Sequence, residues 1–185
     1  NLLVSRWGKN PMSLSTVSKA LKTLEEDLIV SRNGTIRLVQ TEKLLDALER
    51  NFSLPPIREK VRLKVAAEGE MLQGTLAGLS RELGLPLVAT GLSSVSQYAA
   101  MQRGDVLSVY CPRLEGLLER LDGEREDRFP NLEILETDDE TVYFDARPGG
   151  GFLWASPIQV YLELMTGDKR DRETAAQLRS LILKS

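Results

Sequence analysis

Ser13, Ser15, Thr16, Lys19 and Lys22 fall close together, and Arg32, Asn33 and Arg37 follow within a short turn. Hydroxyls and ammonium groups on one helix face can meet base edges and phosphates, and arginines beside a turn can lie along a phosphate backbone. That chemistry is recognition of a duplex, with no bond made or broken.

The residues that make or break bonds are scarcer. Histidine is absent, which excludes histidine triads, histidine metal sites and imidazole acid–base work. The single Cys111 has no imidazole to activate it, and structural zinc lacks ligands. Thr90-Gly91-Leu92-Ser93-Ser94, between a predicted strand and a predicted helix, resembles the opening of the nucleotidyltransferase fold. That fold needs two carboxylates one residue apart on the next strand to hold metal. Here the strand reads Val106-Leu107-Ser108-Val109-Tyr110, with Asp105 just ahead of it and no second acid in place. No Glu-x-Lys of nuclease type falls on the late strands, and Asp138-Asp139-Glu140 reads as a solvated turn. Gly149-Gly150-Gly151 lacks the Lys-Ser/Thr of a phosphate loop. The expectation is no catalytic residue, no metal and no cofactor.

The elements that must position the recognition residues lie in Ser13 to Val39. Leu14, Val17, Leu21 and Leu24 recur at helical spacing and leave Ser15, Thr16, Lys19 and Lys22 opposite. Glu25, Glu26 and Asp27 end that helix, against the preference of the dipole for cations there. Asn33-Gly34 signals a type I′ hairpin turn. Pairing outward from it sets Arg32 opposite Thr35, Ser31 opposite Ile36, Val30 opposite Arg37 and Ile29 opposite Leu38. Alternation then puts Ile29, Ile36 and Leu38 inside and Arg32, Thr35 and Arg37 outside. Leu3 to Trp7 reads as the end of a preceding helix and Gly8–Pro11 as a turn. The layout predicts a winged helix-turn-helix, its helix in the major groove and its wing on phosphates. A further helix upstream is expected to close its core.

Beyond the hairpin, Thr41 reads as the N-cap of a helix over about 42–52. Ser53-Leu54-Pro55-Pro56 is a boundary, because two prolines stop a helix and stiffen the chain. Ile57–Val65 alternates as a strand with Arg58, Lys60, Arg62 and Lys64 on its wet face, a row that more simply protects an edge than touches DNA. Helices are predicted over Glu70–Leu83, Ser93–Gln102, Pro112–Leu121, 157–165 and Arg172–Lys184. Strands are predicted over Leu87–Thr90, Val106–Tyr110, Leu132–Glu136, Val142–Ala146 and Phe152–Ala155. Asp122–Pro130 reads as a charged loop and Pro148–Gly151 as a hairpin loop. Strands and helices in this order make an α/β domain with a mixed sheet.

The 185 residues are 42% apolar, enough for one large or two small cores. Residues 1–64 hold twelve Lys/Arg and seven Asp/Glu, a balance of +5, and the rest hold twelve against twenty, or −8. A basic first module on an acidic body fits a DNA reader with a second domain. One cysteine, no secretory signal and no membrane-length apolar run fit the cytoplasm and no membrane association.

Residues 87–111, LVATGLSSVSQYAAMQRGDVLSVYC, and 154–178, WASPIQVYLELMTGDKRDRETAAQL, resemble the bacterial AbiEi-like antitoxin and transcriptional-regulator family of type IV toxin–antitoxin systems. The Thr-Gly-x-Ser segment and the Ala-Ser-Pro-x-x-x-Tyr helix with its following Gly-Asp-x-Arg carry the resemblance. It implies an amino-terminal winged helix that represses its own operon, and a carboxy-terminal domain that counters a nucleotidyltransferase-like toxin without necessarily binding it. By position it places the DNA contacts on Ser13, Ser15, Thr16, Lys19, Lys22, Arg32, Asn33 and Arg37.

The expected fold is a two-domain α/β protein: an N-terminal winged helix-turn-helix over 1–54, its first helix lying upstream, and a C-terminal mixed α/β domain over 57–185. The expected function is a sequence-specific transcriptional repressor. Its partners would be double-stranded operator DNA, a second copy of itself as a homodimer, and functionally a nucleotidyltransferase-like toxin. The alternative is a degenerate or unrecognised nucleic-acid enzyme that a winged-helix module delivers. A third reading makes the winged module a protein-interaction domain.

Overall fold

The computed structural model describes residues 13–99 and 106–184. The predicted helix end at Leu3–Trp7, the turn Gly8–Pro11 and Asp105 lie outside them. The chain is mixed α/β, with six α-helices, a two-stranded sheet and a seven-stranded sheet among the described residues. It divides into two compact units, the first running to Ser53 and the second spanning Leu54–Ile182. No helix among the described residues is long and apolar enough to cross a membrane.

In the first unit, helix α1 (Leu14–Glu26) leads into β1 (Val30–Ser31), β2 (Arg37–Leu38) and helix α2 (Thr41–Asn51). Ser13 caps α1 by accepting the Thr16 amide at 3.2 Å. The acids at its end have partners that offset the unfavourable dipole: Glu25 pairs with Arg32 and Glu26 with Lys22, both at 3.6 Å. None of the apolar residues of α1 is buried, and Leu14 is 75% exposed. The core of this unit is Ile29, Val30 and Leu45.

The hairpin departs from the predicted register by one residue. Val30 faces Leu38 and Ser31 faces Arg37, so the loop is Arg32 to Ile36. Gly34 alone takes positive φ, at 79°, and Asn33 does not, so the two-residue type I′ turn does not form. Because strand side chains alternate, the slip changes faces. Ile36 and Leu38, expected inside, are 58% and 48% exposed. Thr41 is the first residue of α2 rather than its cap. Gln40 is the cap and supplies no side-chain bond.

The second unit is built on the sheet order β6-β3-β7-β5-β4-β9-β8. These strands are β3 (Glu59–Val65), β4 (Val88–Thr90), β5 (Leu107–Cys111), β6 (Gly123–Arg125), β7 (Leu132–Glu136), β8 (Arg147–Gly149) and β9 (Phe152–Trp154). Strands β5 and β7 pair in parallel, as do β4 and β9, and the other pairs are antiparallel. One face carries Val61, Leu63, Val65, Val109, Leu132 and Ile134, packed with Leu72, Leu76 and Leu79 of α3 (Gly69–Leu83). Helix α3 ends at Gly84 in the left-handed conformation, φ 61°. A Cβ there has open space around it, so only backbone strain opposes a side chain. Gly84→Ala should therefore cost about 1 kcal/mol, read as a lower denaturant midpoint with unchanged slope.

Several predicted elements of this unit change identity. Segment 112–121 forms successive turns rather than a helix, since Gly116 at φ 74° interrupts the run. Its Leu114, Leu117 and Leu121 are nevertheless buried in the core. Residues 100–102 of the predicted helix Ser93–Gln102 lie outside the described residues, and the part before them shortens to α4 (Leu92–Val95), followed by turns. Val142–Ala146 is no strand. A 3-10 turn, Glu140–Tyr143, takes its place, with Asp139 accepting the Thr141 amide at 2.9 Å. The charged loop Asp122–Pro130 contributes β6, an edge strand on β3. Ser156 caps α5 (Pro157–Met165), and Asp168 precedes α6 (Lys169–Ile182).

Candidate nucleic-acid interface

Seven of the eight expected contact residues lie on α1, in the hairpin loop or on β2, and the eighth, Ser13, caps α1. All eight are exposed. Ser13, Ser15 and Thr16 form a hydroxyl cluster at the helix start, with Ser13 Oγ 2.8 Å from Ser15 Oγ and 2.9 Å from Thr16 Oγ1. Helix spacing places Lys19 and Lys22 further along, with Lys22 engaged by Glu26. Arg32 starts the hairpin loop and is held by Glu25, Asn33 lies within the loop, and Arg37 stands on β2. Lys19 and Arg37 make no ion pair among the described residues. The sequence therefore identified four cations, and the structure separates two that are engaged from two that are not.

The basic row on β3 belongs to the second unit and is largely neutralised. Lys60 and Arg62 both meet Glu133, at 2.7 and 3.0 Å, and Lys64 meets Glu68 at 3.1 Å. Arg58 pairs with Asp138. Burial works to raise the Glu133 carboxyl, but the hydrogen bonds and charges of Lys60 and Arg62 outweigh it and hold it below the ordinary carboxylate range. Residues 1–53 alone hold eight Lys/Arg and six Asp/Glu, or +2. Residues 54–64 hold four Lys/Arg and one Glu, so +3 of the +5 counted over residues 1–64 lies on β3 and just ahead of it, where acids meet it.

Sequence reasoning missed the most unusual polar group. Glu163 on α5 sits in an apolar stretch, Tyr161-Leu162-Glu163-Leu164, and that is the one signal that could have exposed it. Its carboxylate accepts from Thr90 Oγ1 at 2.5 Å, Tyr110 OH at 2.9 Å and Gln159 Nε2 at 2.8 Å, with the Gly91 amide as a fourth donor. Burial raises this carboxyl above its usual range despite those donors. Burial first, then the Glu163 charge, pushes the Tyr110 phenol far up. The Thr90–Ser94 turn is therefore tied to α5. Within it, Ser93 Oγ donates to the Thr90 carbonyl at 2.9 Å.

On β5, Ser108 and Tyr110 flank Val109, and neither is an acid. Among the described residues no group of three or more Cys, Asp or Glu could hold a metal ion. Cys111 is buried, which with the Glu136 charge pushes its thiol up to about 12. Two cavities open in the second unit. One, of about 570 Å³, is lined by Lys64, Gln73, Ser93, Arg128, Phe129 and Asn131 among others. The other, of about 470 Å³, lies beside Leu54–Lys60, Tyr110, Glu133 and Leu135. Comparison with family models, with curated proteins and with solved structures returned no match.

Proposed function

We propose that this chain is a sequence-specific DNA-binding regulator, reading a duplex with its first unit as a winged helix. The observation that carries the proposal is the exposed state of Lys19 on α1 and Arg37 on β2, neither of them ion-paired among the described residues, together with a helix start that presents three hydroxyls. A helix and a hairpin with exposed cations on both are what a groove and its flanking phosphates require. The antitoxin-like segments support an autorepressor of the antitoxin type, with the second unit acting against a nucleotidyltransferase-like toxin. An enzyme is the weaker reading, because β5 carries Ser108 and Tyr110 where a metal-binding strand needs carboxylates.

Binding to the DNA upstream of the chain's own gene, followed by fluorescence anisotropy over a range of salt, tests this. Lys19→Ala and Arg37→Ala should each weaken binding to every sequence and reduce the salt slope by about one unit. Lys22→Ala and Arg32→Ala should do less, because each cation must first leave its glutamate. Ser15→Ala and Thr16→Ala should instead change which sequence is preferred. Parental affinity and slope in all six variants would remove the basis for the proposal.

A further inference from the structure

We infer that Glu25 and Glu26 are built-in competitors for the DNA phosphates, which hold Arg32 and Lys22 in the free protein and so limit the affinity of the reading face. The inference deepens the DNA-reading proposal and rests on it.

Their position singles these two acids out. They end α1, where the helix dipole favours cations, so as acids they oppose the helix there. No core contact explains them, because α1 buries no residue. Each instead meets one cation of the expected contact set. Glu26 takes Lys22, one helical turn before it, and Glu25 reaches off the helix to Arg32, the first residue of the hairpin loop, both at 3.6 Å. The four side chains are between 39% and 72% exposed, so a duplex can reach the cations, and pairs this wet are weak enough to exchange. The hairpin does not need them for its shape. Strands β1 and β2 pair as far as Ser31 and Arg37, and the Gly34 amide donates to the Arg32 carbonyl at 3.1 Å, so the backbone at Arg32 is held without Glu25.

Charge gives the consequence. Residues 13–39 carry four Lys/Arg against three Asp/Glu, a balance of +1. A cation that leaves its glutamate for a phosphate releases a counterion from the duplex. The carboxylate left behind then recruits a cation from solution or repels the phosphates within a Debye length. The exchange therefore gains less than a contact by Lys19 or Arg37, and the face binds more weakly and with a shallower salt dependence than its four cations would give. Asp27 supplies an internal comparison. It brings the same charge to the same helix end, and its carbonyl accepts from Lys43 at 2.6 Å, but among the described residues its carboxylate pairs with neither Lys22 nor Arg32.

The experiment compares Glu25→Gln, Glu26→Gln and Asp27→Asn in the full chain, by fluorescence anisotropy on the duplex upstream of its own gene over a range of salt. Each glutamine variant should bind about three- to fivefold more tightly than the parent at low salt, the scale of one exposed ion pair. Its salt slope should steepen by up to about one unit. Asp27→Asn changes the net charge equally and should gain clearly less in both. In an Arg32→Ala background, Glu25→Gln should gain no more than Asp27→Asn does, and so should Glu26→Gln beside Lys22→Ala. Unfolding cannot imitate a gain of affinity, and melts should stay near the parent, because each variant loses an exposed pair but relieves the helix end. Parental or weaker affinity in both glutamine variants, an equal gain in Asp27→Asn, or a gain that persists without Arg32 and Lys22 would each overturn the inference and leave the regulator proposal standing. A parent that binds no duplex would overturn that proposal, and this inference with it.

Discussion

Replacing Glu163 with leucine should destabilise the second unit by about 3–5 kcal/mol, the scale of leaving several buried donors without an acceptor at about 1–3 kcal/mol each. The leucine is close in size, so the loss comes from hydrogen bonds rather than volume. Thr90 and Tyr110 are 2% and 3% exposed, and their hydroxyls could not turn to water once the carboxylate is gone. Glu163→Gln should cost less. Its carbonyl replaces one acceptor, and a rotated Thr90 or Tyr110 hydroxyl can accept from its amide. Urea unfolding of all three proteins, monitored by tryptophan fluorescence, gives the order: parent most stable, then Gln, then Leu. Equal midpoints would mean that the donors around Glu163 find other partners at no cost.

The same residue makes stability depend on pH in a defined direction. Its carboxyl is raised in the folded protein, so the folded state binds the proton more tightly than the unfolded chain does. The contribution is complete below the unfolded value of about 4.3 and is lost as pH rises through the raised folded value. Glu163→Gln should flatten that part of the profile while leaving the rest. A profile as steep in the glutamine variant as in the parent would assign the slope to another group.

On the proposal that the first unit reads DNA, a fragment beginning at Leu54 should fold and lose operator binding. The seven-stranded sheet, its core and the Glu163 network all lie within Leu54–Ile182, so no described element of that unit is cut. Residues 54–185 carry sixteen Lys/Arg and twenty-one Asp/Glu, or −5, and the cations of β3 are held by acids. Such a body gains little from counterion release. Its affinity for the operator should fall by about a thousandfold or more, to the level of non-specific binding. Anisotropy at one fixed salt concentration, with circular dichroism and a cooperative melt to establish folding, is the measurement. Operator affinity equal to that of the whole chain would move the reading head into the second unit.

Elements with local signals were readable from the residue order alone. Alternation of Val61, Leu63 and Val65 with charged residues specified β3, and its apolar face does enter the core. Leu72, Leu76 and Leu79 at helical spacing, with Gly84 beyond them, specified α3 and its end. Ser156-Pro157 specified the start of α5, because a cap and a proline at the first position act within one turn. The exposed cations of the first unit were legible for the same reason: periodicity says which side a residue takes, and charge keeps that side wet.

Features that depend on partners distant in the chain emerge only in the folded molecule. The Asn33-Gly34 signal predicted a tight turn, but β1 and β2 pair one residue out of that register, and a five-residue loop results. Burial of Ile29 and Val30, ahead of the loop, goes with that pairing. Leu114, Leu117 and Leu121 have helical spacing, yet a positive φ at Gly116 breaks the helix and burial alone keeps them inward. Glu163 receives its donors from β4, β5 and its own helix, and Glu133 receives two cations from β3. The apolar neighbours of Glu163 hint at its burial, but the partners of both carboxylates are legible only in the fold, because a buried acid is defined by what long-range folding brings to it.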